Sequence, residues 1–468
     1  MKVEQIYTGC IAQAAYYIEN NGEAAIFDPL REVQPYIDKA NKDNATITYV
    51  FETHFHADFV SGHIDLSKKT GAHIVYGPDA KPGFDAIVAE DGQEFKVGNY
   101  TIKAIHTPGH TLESTCYLLM DENRKPYGII TGDTLFIGDV GRPDLAQKLS
   151  SDLTQERLAS MLYDSLRNKI MTLPDELIIF PSHGAGSACG KNMSKETTDT
   201  LGHQKMVNYA LRANMTREEF IAEVLEGLTA PPAYFPENVM MNIQGYESLD
   251  HVIERGLKGL SPDAFEAAAN ETGALVLDTR SADKFSKGFI PNSINIGIDG
   301  GFAPWVGALI PDIKQPVLIV SDPGREQEVI TRMSRVGYDH SIGYLEGGFD
   351  AWKNAGKETD SVNRITASEM AGKFKPDSIV IDVRNPGEYQ AGHIEGAKLV
   401  PLGDLNNHLH EIPKDKHFFL HCAGGYRSMS AASILKSRGW EDFEEIDGGF
   451  KAISATQIPQ TTQTGAKP

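Results

Sequence analysis

The second half of this chain repeats itself, and the repeat limits the possible folds more than any other feature. The string LVLDTR at 275–280 returns as IVIDVR at 379–384, VLIVSD at 317–322 returns as FFLHC at 418–422, and LEGGF at 345–349 returns as IDGGF at 446–450. Three matches in one order mean two copies of a unit of about 110 residues, a size that suits an independent domain. Short apolar strands alternate with helices in each copy, the pattern of a doubly wound, mainly parallel sheet. The full 468 residues exceed one typical core. The first half follows a different pattern, so three domains are expected, at 1–240, 241–360 and 361–468.

In the first half, strand-like runs at 14–19 and 23–28 flank the turn Asn20, Asn21, Gly22. Helical patterns follow at 33–40 and at 59–69, the second closed by Gly71. An amphipathic helix is expected over 208–228, and the proline-rich run at 230–236 reads as a linker. Four β-rich runs each end in a candidate metal ligand. Residues 47–51 lead to His54 and His56, residues 100–105 to His110, residues 127–131 to Asp133, and residues 177–180 to His183. Ligands delivered by loops at the ends of a rigid sheet make a preorganised site. His54 and His56 lie too close in sequence for a strand to present both beside one metal, so the segment THFHADF at 53–59 must turn.

These motifs, in this order over about residues 1–235, resemble the metallo-β-lactamase superfamily, whose pattern is HxHxDH, then His, Asp and His. The resemblance implies an αββα sandwich of two sheets flanked by helices. Within that superfamily, TPGHT at 107–111 and TGDTLF at 131–136 occur in glyoxalase II thioesterases and in persulfide dioxygenases. The thioesterases hold a second metal partly through the His that follows the motif's Asp; here that position is Phe59, whose ring cannot ligate. Asp58, Asp133 and His183 alone make a poor second cage. What remains is one metal on His56, His110 and Asp133, two imidazoles and a carboxylate with open positions, as in non-haem Fe(II) oxygenases. Persulfide dioxygenases carry this triad at the matching positions, with persulfide and O2 meeting at one Fe(II) per chain. His54, Asp58 and His183 then orient the ligands through hydrogen bonds. Ligand types leave Fe and Zn both open. Arg142 is expected either to bind the carboxylate or phosphate of a thiol substrate or to sit in a structural salt bridge. Cys189, in a glycine-rich loop, reads as a sulfur relay or as a small buried thiol. His63, His73 and His106 are expected at the surface or in ordinary hydrogen bonds.

Both repeats resemble rhodanese sulfurtransferase domains over nearly all of 245–456. The active signature is CAGGYRS at 422–428, after a buried strand and before a helix at 429–437. Such a loop turns backbone N–H groups toward the Cys422 sulfur at a helix N-terminus, which favours the thiolate or persulfide anion. Arg427 adds positive charge for an anionic sulfur donor. The first copy is expected to be silent, with Asp322 at the nucleophile's place and Pro323 removing one donor. The tail, 456–468, reads as polar and disordered.

Charge and cysteine usage narrow the function. A net charge of -20 argues against nucleic acid or an anionic membrane as partner. The N-terminal segment has no apolar core of a signal peptide, and no run of about 18 apolar residues exists to span a membrane. Four dispersed cysteines with no CxxC pair fit a reducing cytosol. The whole chain resembles persulfide dioxygenase–rhodanese fusions of the sulfide-detoxifying kind. The resemblance implies oxidation of glutathione, coenzyme A or similar thiol persulfides by O2 to thiol and sulfite. Cys422 would then move sulfane sulfur to form or to use thiosulfate. A homo-oligomer is a fair expectation. The alternatives are a glyoxalase II-type thioester hydrolase with two metals, and a non-catalytic persulfide carrier or sensor built on Cys189 and Cys422.

Overall fold

The structure is a computed structural model and describes residues 2–145, 153–228 and 230–462. It divides into two compact units, Met1–His251 with Met333–Gly337, and Val252–Arg332 with Tyr338–Pro468.

The first unit is a sandwich of two sheets, each six-stranded among the described residues. One sheet runs in chain order from Val3–Thr8 through Gln13–Asn20, Glu23–Phe27, Thr46–Phe51 and His73–Tyr76 to Ile87–Val88. The other runs from Glu94–Val97 through Tyr100–His106, Thr115–Met120, Pro126–Gly132 and Ile178–Pro181 to Asp199–Thr200. Strands rich in β-branched and aromatic residues form because such side chains suit a pleated, half-buried surface. Their inner faces meet in a core that includes Tyr16, Phe27, Phe51, Phe95, Tyr117, Ile130 and Phe180. Phe27 and Phe51 stack there with ring centroids 4.8 Å apart. The outer face of the first sheet is covered by Tyr36 and Ala40 of the helix Gln34–Lys42 and by Leu66 of the helix His63–Thr70. Leu162 of Gln155–Ser165 and Phe220 of Arg217–Leu225 cover the second sheet. This is the expected αββα arrangement. Gly71, at φ 78°, ends the second helix in the left-handed conformation that glycine adopts without steric cost.

Two helices replace the single one expected over 208–228: Leu201–Val207, which ends before that span, and Arg217–Leu225 within it. Asn208 is extended and its side chain caps the turn Tyr209–Leu211, which ends the first. Thr216 and Glu219 form a capping box that starts the second. The expected linker also proves to be partly a helix start. Pro236 lies in the first turn of Phe235–Gln244, where its missing N–H costs nothing. Met240 therefore sits inside a helix.

The second unit holds two five-stranded parallel sheets among its described residues, with identical strand order. The first runs Gly259–Leu260, Ser341–Leu345, Val317–Val320, Leu275–Asp278, Ile294–Asn295. The second runs Arg364–Thr366, Phe443–Asp447, Phe418–His421, Ile379–Asp382, Lys398–Leu399. Helices fill the connections that parallel strands require. The tail is ordered further than its composition suggests. Ile458 is buried, and Gln460–Thr461 pairs with His393–Ile394; residues 463–468 lie outside the described part.

Candidate functional site

All four ligand-bearing loops lie at the C-terminal ends of strands and converge. The ligating atoms of His54, His110 and Asp133 lie within 4.8 Å of one another, all buried. His54 Nε2 is 3.9 Å and His110 Nε2 3.4 Å from Asp133 Oδ2. The far nitrogen of each ring is fixed. His110 Nδ1 bonds the Arg142 carbonyl at 2.8 Å, and His183 Nδ1 the Ala12 carbonyl at 3.2 Å. Each Nδ1 therefore carries the proton, and each Nε2 turns a lone pair inward. Thr53 gives its hydroxyl proton to Asp28 Oδ2 at 2.9 Å, so it accepts from His54 Nδ1, also at 2.9 Å. Burial, helped by the rings of His56, His110 and His183, holds the His54 pKa well below its ordinary value. His54 is thus a neutral imidazole with a free lone pair.

The expected ligand set named His56; the group that holds His110 and Asp133 holds His54 in its place. His56 Nε2 turns away, to Asp28 Oδ1 at 3.1 Å and Glu52 Oε2 at 3.5 Å. Burial disfavours its charged form, but these two carboxylates override it and hold its pKa well above the ordinary value. Phe59 completes the arrangement: fully buried, its ring lies 4.3 Å from that of His56. His56 does group with Asp58 and His183 as a second set of three atoms within 4.8 Å.

Both carboxylate oxygens of Asp133, His183 Nε2 and Asp58 Oδ1 are buried without hydrogen-bond partners. Unpartnered buried carboxylates are strongly unfavourable, and a bound cation supplies what they lack. The donor set fits a divalent metal. Cys189 is buried beside this centre, its sulfur within 4.8 Å of ligating atoms of Asp133 and His183. Burial and the nearby Asp58 and Asp133 push its thiol pKa well up. Arg142 forks onto Asp144 with two bonds of 2.6 Å, the salt bridge that was one of its two expected roles. His63 is fully buried among Tyr76, Phe84 and Tyr246, with Nδ1 3.5 Å from Glu52 and outside both groups. His106 is hydrogen-bonded, through Nε2 to the Leu112 carbonyl at 2.8 Å, and His73 is exposed.

In the last repeat, Cys422 follows the strand Phe418–His421 and precedes the helix Tyr426–Ser437. The Gly425 N–H, at a φ of 96° that favours glycine, donates to Cys422 Sγ at 3.1 Å. Ser428 Oγ is 3.4 Å from the same sulfur. Arg427 forks onto Glu388 at 2.6 and 2.7 Å, so part of the charge expected for the incoming donor is already matched. Tyr426 reaches into the first repeat. Its hydroxyl donates to the Gly297 carbonyl at 2.7 Å, and a Cβ on Gly300 would fall 2.3 Å from its ring.

Strand register corrects the first copy. Asp278 pairs with Val320, as Asp382 pairs with His421, so Ser321 and not Asp322 stands at the place of Cys422. Gly324, at φ 89°, then matches Gly425. Its N–H bonds the Glu326 carboxylate at 3.0 and 3.1 Å, and Glu326 holds the position of Arg427.

Comparison with known proteins assigns families to both halves of the chain. The profile of the metallo-beta-lactamase superfamily matches residues 8–183, and that of the rhodanese-like domain matches 261–355 and 366–456. The chain belongs to the metallo-beta-lactamase superfamily and carries two rhodanese-like domains. A crystal structure of a metallo-beta-lactamase from Staphylococcus aureus subsp. aureus COL is 31% identical, covers 74% of this chain and 98% of that one, and superposes with a TM-score of 0.64. The structure of ETHE1 from Myxococcus xanthus is 28% identical and covers 52% of this chain and 99% of that one, with a TM-score of 0.45. A hydroxyacylglutathione hydrolase of Rhizobium etli is 34% identical over 169 residues; the match spans 35% of this chain and 58% of that protein.

Three residues of the first unit escape a motif reading. Asp28 receives the Thr53 N–H and hydroxyl and the Ser182 hydroxyl, at 2.8, 2.9 and 2.7 Å, tying two ligand loops together. Asn242 donates to the His56 and Phe59 carbonyls, both at 2.8 Å. Glu113 accepts the Phe55 N–H at 2.9 Å. A carboxylate directly after a strand, on the edge from which the ligands project, was the available signal for Asp28. Asn242 and Glu113 carry no such signal.

Proposed function

We propose that the metallo-beta-lactamase domain is a persulfide dioxygenase and that the last rhodanese-like domain moves sulfane sulfur for it. The observation that carries this is one buried group of two histidines and a carboxylate, His54, His110 and Asp133, beside a position closed by Phe59. Two imidazoles and one carboxylate suit a single iron with open positions. Iron(II) held by these residues would supply a common binding place for a sulfur anion and O2, and an electron path between them. The protein's own part is to fix those ligands. Asp28 locks Thr53, Thr53 sets the His54 tautomer, and the Arg142 carbonyl sets that of His110. Phe59, packed against the His56 ring, keeps the space beside it apolar.

The overall change is RSSH + O2 + H2O → RSH + H2SO3. The outer sulfur is oxidised, O2 takes up four electrons, and glutathione or coenzyme A is the proposed thiol. At Cys422 the proposed change is transfer of sulfane sulfur between persulfide and sulfite, RSSH + SO3²⁻ ⇌ RSH + S2O3²⁻. The first rhodanese-like domain, with Ser321 in place of a thiol, carries no sulfur on this reading. Among the described residues no helix is long and apolar enough to cross a membrane. Four free cysteines support a reducing compartment.

The test is O2 uptake by iron-loaded protein given glutathione or coenzyme A persulfide. One iron per chain and one O2 per sulfite are expected; no uptake with either substrate sinks the proposal. The rival reading is hydrolysis of glutathione thioesters, favoured by the second group of His56, Asp58 and His183. It requires two metals per chain and thioester cleavage without O2.

A further inference from the structure

We propose that Glu445, acting through Ser428, takes the proton that Cys422 must lose before sulfur transfer. The inference rests on the sulfurtransferase reading of Cys422. Ser428 Oγ bonds Glu445 Oε1 on one side and lies 3.4 Å from Cys422 Sγ on the other. All three residues are buried. A hydroxyl has one proton and two lone pairs, so this chain has two consistent states. In the first, the Cys422 S–H donates to Ser428 Oγ and the Ser428 O–H donates to Glu445 Oε1. In the second, Glu445 carries the proton and donates to Ser428, which donates to the Cys422 thiolate. Passing between them breaks the S–H bond, moves one proton across the hydroxyl and forms one O–H bond at Glu445. No electrons change hands.

The surroundings make Glu445 a workable acceptor. It belongs to the strand Phe443–Asp447. Arg364, from the neighbouring strand Arg364–Thr366, holds its other oxygen at 2.9 Å and also binds Asp447 at 2.6 Å. From the helix after the loop, Ser428 faces it, while Arg427 is turned to Glu388. Burial pushes the Glu445 carboxyl up to about 7, against the pull of Arg364 and Ser428 and with help from Asp447. An acceptor poised near working pH passes a proton in either direction with little loss.

The first repeat acts as an internal control. By the same register Cys422, Ser428 and Glu445 correspond to Ser321, Gln327 and Tyr344. All three members are absent there. Features that serve the fold are kept: Arg280 forks onto Asp278 and lies over Phe349, as Arg384 does with Asp382 and Phe450. The glutamate thus goes with the thiol and not with the fold.

The experiment follows sulfur transfer from thiosulfate to cyanide, and alkylation of Cys422 by iodoacetamide, across pH in the full chain. In the parent, both profiles should show two ionisations, the lower near 7. Glu445→Gln and Ser428→Ala should each remove the lower one and slow transfer at pH 7 about tenfold, with KM for thiosulfate unchanged; Glu445→Asp should restore part of it. If Glu445→Gln does not fold, Ser428→Ala, which leaves the Arg364 pair in place, decides alone. A parent-like profile in a folded Ser428→Ala or Glu445→Gln protein overturns the relay. A parent that transfers no sulfur overturns instead the reading on which the relay rests.

Discussion

The two rhodanese-like domains share a sheet order, an Asp–Arg fork and a glycine-bent loop, yet they put that loop to opposite ends. In the last domain the Gly425 N–H points at a sulfur, with Arg427 beside it. In the first, the equivalent Gly324 N–H is occupied by the chain's own Glu326 carboxylate, and Ser321 stands where the sulfur would be. The charge of the partner inverts as well: Glu388, which pairs with Arg427 of the Cys422 loop, corresponds to Lys284, which pairs with Asp322 at 2.7 Å. A backbone cradle selects for an anion, and whichever anion arrives first fills it. In one copy the glycine N–H faces the Cys422 sulfur; in the other it is capped by a carboxylate of the same loop. The two copies therefore differ by more than a thiol.

That contrast can be broken in five ways. The largest effect belongs to Cys422→Ser, which should lower sulfur transfer by about 1000-fold or more, while O2 uptake and sulfite release persist. Equal loss of both would show that the two sites do not divide the work. Next is the pH dependence of stability at Glu445, whose folded pKa is about 7 against an ordinary 4.5. Below the lower value the side chain is protonated whether the chain is folded or not, and it contributes no penalty. As pH rises from 4.5 to 7 the unfolded chain ionises first, so folding loses stability, by about 3 kcal/mol in all. Glu445→Gln should remove that loss, gaining on the parent between these pH values in chemical denaturation; a constant difference across them would refute it. Arg427→Glu, which installs the charge of the silent copy, should cut kcat/KM for thiosulfate by about 10- to 100-fold. Tyr426→Phe removes one half-buried hydroxyl contact and should cost about 1 kcal/mol, read as a lower midpoint for the second unit. The smallest effect is expected of Ser321→Cys, which should restore no transfer because Glu326 still fills the cradle. Activity in that variant would mean that the thiol alone was missing.

The sheet sandwich, the repeat and the four ligand loops were legible because each is written in local pattern: strand-like runs, turn residues and histidines at strand ends. The choice between His54 and His56 was not. Both sit in one turn, and their directions are set by Asp28, Glu52 and Asn242, two of which lie far away in sequence. The alignment of Ser321 with Cys422 failed for a related reason. A one-residue offset between two loops leaves the same composition on the page, whereas the ladder between Asp278 and Val320 admits only one pairing. Helix boundaries near 208–244 depended on caps: Thr216 and Pro236 start helices where their types alone read as breaks. The Cys422 loop was legible because Gly425, Arg427 and Ser428 all fall within seven residues of sequence.

Tyr426 stands in the loop of one repeat, and its ring and hydroxyl are received by Gly297 and Gly300 of the other. The Ser433 hydroxyl accepts the Asn295 N–H in the same seam, at 2.8 Å. A fragment cut at residue 360 would strip both partners from the helix that carries the reactive loop. The smallest piece that keeps the contacts of the Cys422 loop is therefore the pair of repeats, and the first repeat is a wall against which the second is built.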